Sequence, residues 1–456
     1  MNKFTSLALL AITPLFLTGC GLRNDQQAVN QAKQTLTYWH VKQSGDDKVF
    51  DKLIATYEKD VPTINIETRL FEPTDDYETA VINALAAGKG PDIWEIRDDE
   101  LARHKDKLAG FVFPSKGEQE IFKKTYARAI ANQMIIDDTL YGMPITIDPL
   151  VLFMNVDHMK QAGIEKPPKT WEELAAIAKL TTLRVDQTIV RPGFAMGTAS
   201  NLDRASHILQ LVMMQLGVQM VDPAHKQATF DLFIQDPDSG EYRYLGQEAV
   251  TFFDSFADPA SAYQSWDANQ PYSTQAFASG NLSMMINYLS LYPQMKLLNS
   301  KLNYSVSGVP QRGLKKIPVG DTPAEVSKEV QLAKYRSLVV SKSASRLTKE
   351  QRAKREQIAW QFIQYSTSNI DITSVYAKQT SQIPPQIYAN ASVAEESQDE
   401  TITAIINPNT TNWYKGPSPR IVDQIFSQLI KGATEDGQPV ATILTQAATA
   451  ITGILR

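Results

Sequence analysis

Apolar and polar positions from Thr35 to His40 (TLTYWH) form a β-rich run, and the period then changes: within Asp46 to Lys59, Val49, Phe50, Leu53, Ile54 and Tyr57 recur at helical spacing. Ile64 to Leu70 alternates as a second strand. Asp75 to Ala87 places Tyr77, Val81, Ala84 and Leu85 on one helical face, with Gly88 positioned to end the helix, and Asp92 to Ile96 (DIWEI) reads as a third strand. Strand, helix, strand, helix, strand at this spacing predicts a βαβαβ unit with a parallel sheet and right-handed crossovers. In open parallel sheets the ligand crevice lies beyond the carboxyl ends of the strands. That rule makes Trp39, His40, Phe71, Trp94 and Glu95 the first site candidates. For each tryptophan the alternative is a core or edge position covered by the next helix.

Further along, Thr170 to Glu173 fits a capping box behind Pro167 and Pro168, which makes Trp171 a packing residue. Trp360 lies on an apolar helical face and reads as core. Asp236 to Gly240 suggests a calcium loop, but Gln247 stands at its twelfth position where a bidentate Glu is needed. Flanked by Thr229 to Ile234 and Glu241 to Leu245, it reads instead as a hairpin turn. Trp413 stands in a loop rich in Asn, Thr, Pro and Gly before a helix over Ile421 to Ile430, a place where a tryptophan is expected to cover something.

Composition narrows the picture. With 456 residues, 43% of them hydrophobic, the chain is long enough for two or three domains with true cores. A net charge of -5 with no dense basic stretch argues against nucleic acid as a partner. The single cysteine, Cys20, excludes an intramolecular disulfide, a redox CxxC pair and a cysteine zinc cage. It follows a positive start (Lys3) and an uncharged, mostly apolar run, Phe4 to Leu17, shorter than the roughly 20 residues that span a bilayer. Leu17-Thr18-Gly19-Cys20 resembles the bacterial lipobox, so residues 1–19 are expected to be a lipoprotein signal peptide and Cys20 the lipid attachment site; the alternative is an ordinary signal peptide with a stray cysteine. Residues 20–34 then form a lipidated N-terminus and polar tether.

A wider resemblance runs through the mature chain. Gly88 to Ile93 (GKGPDI), Tyr141 to Pro144 followed by Leu152 to Asn155, Ala162 to Ile164 followed by Pro167 to Leu174, Phe277 to Gly280 with Met284 to Asn287, and Leu338 to Ser341 followed by Ala359 to Phe362 occur in the order seen in family 1 extracellular solute-binding proteins of ABC importers. The chain is similar to the maltose-binding-protein-like members of that family. The resemblance implies an α/β, two-lobed periplasmic-binding-protein-like fold, with parallel-sheet lobes joined by a hinge that the chain crosses several times. Carried over, residues 35–147 and 305–378 build lobe I, and 148–304 and 379–456 build lobe II. The ligand would sit between the lobes and close them by hinge rotation. Asp148 would face the cleft near the first crossing, its alternative being a solvated loop carboxylate. Trp266, Tyr288 and Trp413 are the second-lobe candidates, with Tyr414 beside Trp413. Tyr288-Leu289-Ser290 stands where many relatives carry Gly-Ser-Trp. Tyr335 and Arg336 stand where small glycines are usual, and would narrow the cleft or add charge to it.

These features imply a lipid-anchored, monomeric binding protein on the outer face of the cytoplasmic membrane or in the periplasm. It would capture a small ligand, a sugar or oligosaccharide, and deliver it to the permease subunits of an ABC transporter. Aromatic faces with carboxylates, amides and Arg are the groups that bind a sugar's C–H faces and paired hydroxyls. No G-x-S-x-G, H-E-x-x-H or phosphate loop is present, and the five histidines (His40, His104, His158, His207, His225) never fall at metal-ligand spacing, so no catalytic residue, metal site or cofactor is expected. A glycosidase, which needs only two carboxylates from distant segments, and a surface sensor or adhesin remain as alternatives. The acidic runs, Asp98 to Glu100 among them, read as solvated helix starts and loops.

Overall fold

In the computed structural model the described residues are 33–42, 48–72, 76–235, 240–312, 329–342, 346–369, 372–376, 382–386 and 410–455. The signal segment with Cys20, most of the tether and the 236–239 turn lie outside them.

The N-terminal βαβαβ unit forms as its periodicity dictates: β1 (Gln34–Val41), α1 (Lys48–Asp60), β2 (Ile64–Phe71), α2 (Tyr77–Ala86) and β3 (Ile93–Arg97). β1 pairs in parallel with both β2 and β3. Gly88, at φ +66°, follows α2 in a conformation that favours glycine. Phe50, Leu53, Ile54 and Tyr57, the apolar stripe of α1, are buried together with Leu36, Tyr38 and Ile66 of the sheet. After α3 (Leu101–His104), a small antiparallel sheet of β4 (Phe111–Val112), β5 (Ile135–Ile136) and β6 (Thr139–Leu140) encloses α4 (Lys116–Thr125) and α5 (Arg128–Met134) in sequence.

The chain then leaves this lobe along one long strand, β7 (Met143–Asn155). Its first half pairs with β14 (Gln331–Val340), and its second half lies between β12 (Met284–Tyr288) and β13 (Tyr304–Gly308). Around this second-lobe sheet run α6 (Val156–Gln161), α7 (Trp171–Thr181), the β8–β9 hairpin (Leu183–Val185, Thr188–Arg191), α8 (Ala205–Gln215), the β10–β11 hairpin (Ile234–Gln235, Tyr242–Arg243), α9 (Leu245–Asp254), α10 (Ser273–Ala278) and α11 (Tyr292–Leu298). α12 (Lys349–Ser368) follows β14, β15 (Thr410–Thr411) pairs with its start, and α13 (Pro419–Thr434) and α14 (Val440–Leu455) pack on each other and on α9. Along the main path the strand order is β12-β7-β14-β3-β1-β2, so one mixed sheet runs through both lobes.

Three expectations about organisation are corrected. The second lobe is not paired in parallel: β12 and β13 flank the end of β7, and each runs antiparallel to it, because β7 enters this lobe against their direction. The return to lobe I does not begin at residue 305. Ser305 to Gly308 hydrogen-bond to the second-lobe half of β7, Gln311 pairs with Lys169 and Thr170, and the chain recrosses along β14. Nor does lobe I end at 378, since Ile383 bridges to Ile147 and Gln386 bridges to Tyr126 and donates to the Thr367 carbonyl.

Local readings that rested on helix chemistry hold. The capping box of Thr170 and Glu173 is formed, and Trp171 is buried with its indole N–H on Gln215 at 2.6 Å. Trp360 is buried against Phe111 and donates to the Ala109 carbonyl at 2.9 Å.

Candidate functional site

β7 and β14 carry the chain between the lobes, and the side chains clustered beside them come from both sides. From lobe I come the carboxyl end of β3 (Glu95, Asp98, Asp99) and the residues Lys334 and Arg336 of β14. From lobe II come Asp148 on β7, Tyr288 at the end of β12, Arg204 and His207 at the start of α8, the 412–415 loop and Asp423 on α13.

Tyr288 is the centre of the second-lobe wall. The Arg204 guanidinium lies 5.5 Å and the Lys334 ammonium 4.8 Å from its ring centroid. Its hydroxyl meets Nδ1 of His207 at 3.2 Å, and Nε2 of His207 meets Asp423 at 3.1 Å. With Nε2–H donated to the carboxylate, Nδ1 accepts from Tyr288, a tautomer assigned from these partners. Burial pushes His207 down to about 4, so the ring is neutral at physiological pH. Asp423 also accepts from Gln210 at 3.0 Å and Lys415 at 2.7 Å. Burial opposes its charge, yet the hydrogen bonds and cations around it hold its carboxyl below the ordinary range. Gln210 Oε1 in turn accepts the Trp413 indole N–H at 3.0 Å. A continuous network thus fixes Trp413, Gln210, Asp423, His207 and Tyr288 in place.

On the first lobe, Glu95 accepts from the Tyr38 hydroxyl at 3.0 Å and from Arg336 at 3.2 Å. The Tyr77 hydroxyl accepts from the Glu95 backbone N–H at 2.8 Å and reaches the Trp39 carbonyl at 3.0 Å, holding the ends of β1 and β3 together. Asp98 accepts from Asn412 at 3.0 Å, a contact that joins β3 to the 412–415 loop. Burial, and then the neighbouring Asp99, push Asp98 up to about 8. Burial lowers the Lys334 ammonium. Both oxygens of Asp148 are taken by Ser290, from N–H at 2.9 Å and Oγ at 2.7 Å, while burial raises its carboxyl above the ordinary range.

Several sequence candidates occupy other positions. Trp94 is 1% exposed and meets His104 edge-on at 5.5 Å, and Trp266 is 0% exposed with its N–H satisfied by Thr198 and Asn201. Neither indole has a face free for a ligand, which corrects both assignments: the strand pleat turns Trp94 inward, and Trp266 fills the second-lobe core. His40 is likewise buried, stacked on Tyr38 at 4.7 Å. Trp413 is corrected in part, since it packs edge-on to Phe426 at 5.9 Å and carries structural weight that its polar loop did not suggest. Trp39 stays half-buried, with Phe71 at 5.4 Å and the Arg69 guanidinium 4.6 Å above its ring.

Tyr335 does not narrow the cleft; it is buried with its hydroxyl on Gln133 at 2.7 Å. Asp98 to Glu100 are not solvated: Glu100 is buried and takes Arg97 at 2.6 Å. The sequence reading passed over Arg204, His207, Lys334, Lys415 and Asp423, and it misread Asp98. A usable signal existed for Lys334, a charge inside the apolar strand QLAKYRSLVV. For the others no local pattern exists, because they converge from segments far apart in the chain. Among the described residues no group of three or more His, Cys, Asp or Glu side chains is placed to hold a metal, and no helix is long and apolar enough to cross a membrane.

Comparison with known proteins agrees with this architecture. The chain is 22% identical over 180 residues to the multiple sugar-binding protein of Streptococcus mutans, covering 39% of this chain and 40% of that one. It is 22% identical over 225 residues to the arabinooligosaccharide-binding protein of Bacillus subtilis, covering 48% and 49%. The matches thus span about half the length of these relatives or less. A solute-binding protein of Thermotoga lettingae bound to α-D-tagatose superposes with a TM-score of 0.62 at 19% identity over 93% of this chain and 100% of that one. The cyclic α-maltosyl-1,6-maltose binding protein of Arthrobacter globiformis does so with 0.68 at 17% identity, over 93% and 99%. These superpositions establish the two-lobed fold. The model of the bacterial extracellular solute-binding protein family matches residues 52–404, more than half of the chain, and the chain belongs to that family.

Proposed function

We propose that this protein captures a small saccharide between its lobes by hinge closure and hands it to an ABC importer permease, without chemical conversion. The observation that carries this reading is the polar and aromatic wall assembled from both lobes beside β7 and β14, with Tyr288 held rigidly by the His207–Asp423 network. Rigid aromatic faces with fixed carboxylates, amides and an arginine match a sugar's alternating apolar faces and hydroxyl pairs. Relatives and structural neighbours named for sugar or oligosaccharide binding support the same ligand class. Trp39 is the first-lobe candidate for stacking; Glu95, Asp148, Arg336 and Trp413 are supporting residues of the walls. The lipidated Cys20, an extracellular or periplasmic location and a monomeric state complete the reading.

A thermal-shift screen against mono- and oligosaccharides tests it. A cognate sugar at 100 times its dissociation constant adds about 2.7 kcal/mol of stability. Stabilisation by a saccharide that is recovered unchanged is the expected result; turnover of that saccharide would establish the enzyme alternative, and indifference to every sugar would remove the ligand class.

A further inference from the structure

The cations of the cleft fall into two groups. Lys415 is neutralised by Asp423 at 2.7 Å and Arg336 by Glu95 at 3.2 Å. Arg204 and Lys334 have no such partner among the described residues. The single side-chain acceptor of Arg204 is the neutral Asn287 amide, reached through Nε at 3.1 Å, and its terminal nitrogens meet no acceptor; Lys334 Nζ meets none. Both are half-buried, and both are drawn against the ring of Tyr288. Two like charges gathered on one ring repel each other and have given up hydration without gaining an ion-pair partner in direct contact. Asp148, whose oxygens accept from Ser290, and Asp98, which accepts from Asn412, act on the two cations through space, but neither ion-pairs with them directly.

We propose that the ligand is an anionic saccharide, carrying a carboxylate or phosphate that Arg204 and Lys334, both held against the Tyr288 ring, bind together. This rests on the saccharide reading above and narrows it. The fork of Arg204 suits a two-oxygen contact, and Lys334 supplies a point charge on the same group. A neutral sugar would give neither cation a counter-charge in direct contact after the cleft had closed and expelled its water.

Calorimetry with matched pairs tests the proposal: digalacturonate against galactobiose for the carboxylate, and glucose 6-phosphate against glucose for the phosphate. The expected result is binding of the charged member in one pair, weakening as sodium chloride is raised, with its neutral counterpart at least about thirtyfold weaker. In Lys334→Met the charged member should lose about thirtyfold, and its advantage over the neutral member should shrink by most of that factor. If that variant fails to fold, the wild-type comparison alone decides. A neutral member that binds as tightly as its charged partner overturns the proposal and leaves the saccharide reading intact. Failure of all four sugars together with the wider saccharide screen overturns both.

Discussion

At the scale of single residues, two tryptophans with similar exposure separate by what surrounds them. Trp360 is enclosed by the first-lobe core and donates to the Ala109 carbonyl, so Trp360→Ala is expected to cost about 3 to 5 kcal/mol of folding stability and to leave ligand affinity unchanged. Trp413 packs on Phe426 and anchors Gln210, which holds Asp423. Its removal should lower both stability and affinity, readable in a denaturant melt and a titration of the same variant; full stability in Trp413→Ala would contradict the packing role assigned here. Titration is a second residue-scale consequence. Asp98 has a folded-state value of about 8 against an ordinary 3.8, so the native state binds a proton that the unfolded state has released across that window. Stability linked to this group is therefore full below about 4 and is lost as pH rises toward 8. Melts of wild type and Asp98→Asn from pH 4 to 8 should show the variant gaining on wild type as pH rises, and a constant difference would place Asp98 in solvent.

Among elements, helix packing sets tolerances that composition does not reveal. Gly246 near the start of α9 lies directly against the Phe230 carbonyl, and a Cβ there would strike that backbone and approach Leu444 to 3.0 Å. Gly246→Ala should therefore destabilise, by about 1 to 3 kcal/mol in a denaturant melt, although alanine is the better helix former. The same scale shows what was legible in the chain. The β1–α1–β2–α2–β3 unit, the Thr170 capping box and the Trp360 stripe were readable because each depends on neighbours a few residues away. The inward turn of Trp94, the burial of Trp266 and the convergence of Arg204, Lys334 and Asp423 on one wall depend on register and long-range packing, which no local pattern records. The carboxyl-end rule points to the end of β3, where polar side chains of both lobes meet. It named Trp94 and Glu95 of that strand; the pleat buries the tryptophan, and the chain just beyond adds Asp98 beside Glu95.

Over the whole molecule, the lobes share two long strands, β7 and β14, and side chains beside them also join the lobes, among them Asn412 on the Ala333 carbonyl, Gln331 on the Leu150 carbonyl and Lys334 over Tyr288. Asn412 donates to Asp98, and Arg420 approaches Glu78 at 3.6 Å. Arg420 is 66% exposed, and an ion pair so open to water is worth under about 1 kcal/mol. A ligand that touches both walls supplies the differential affinity that closure requires. Small-angle scattering during titration with the saccharide that stabilises the protein tests this directly: the radius of gyration should fall as the cleft saturates, and a radius that stays constant at full occupancy would contradict capture by closure.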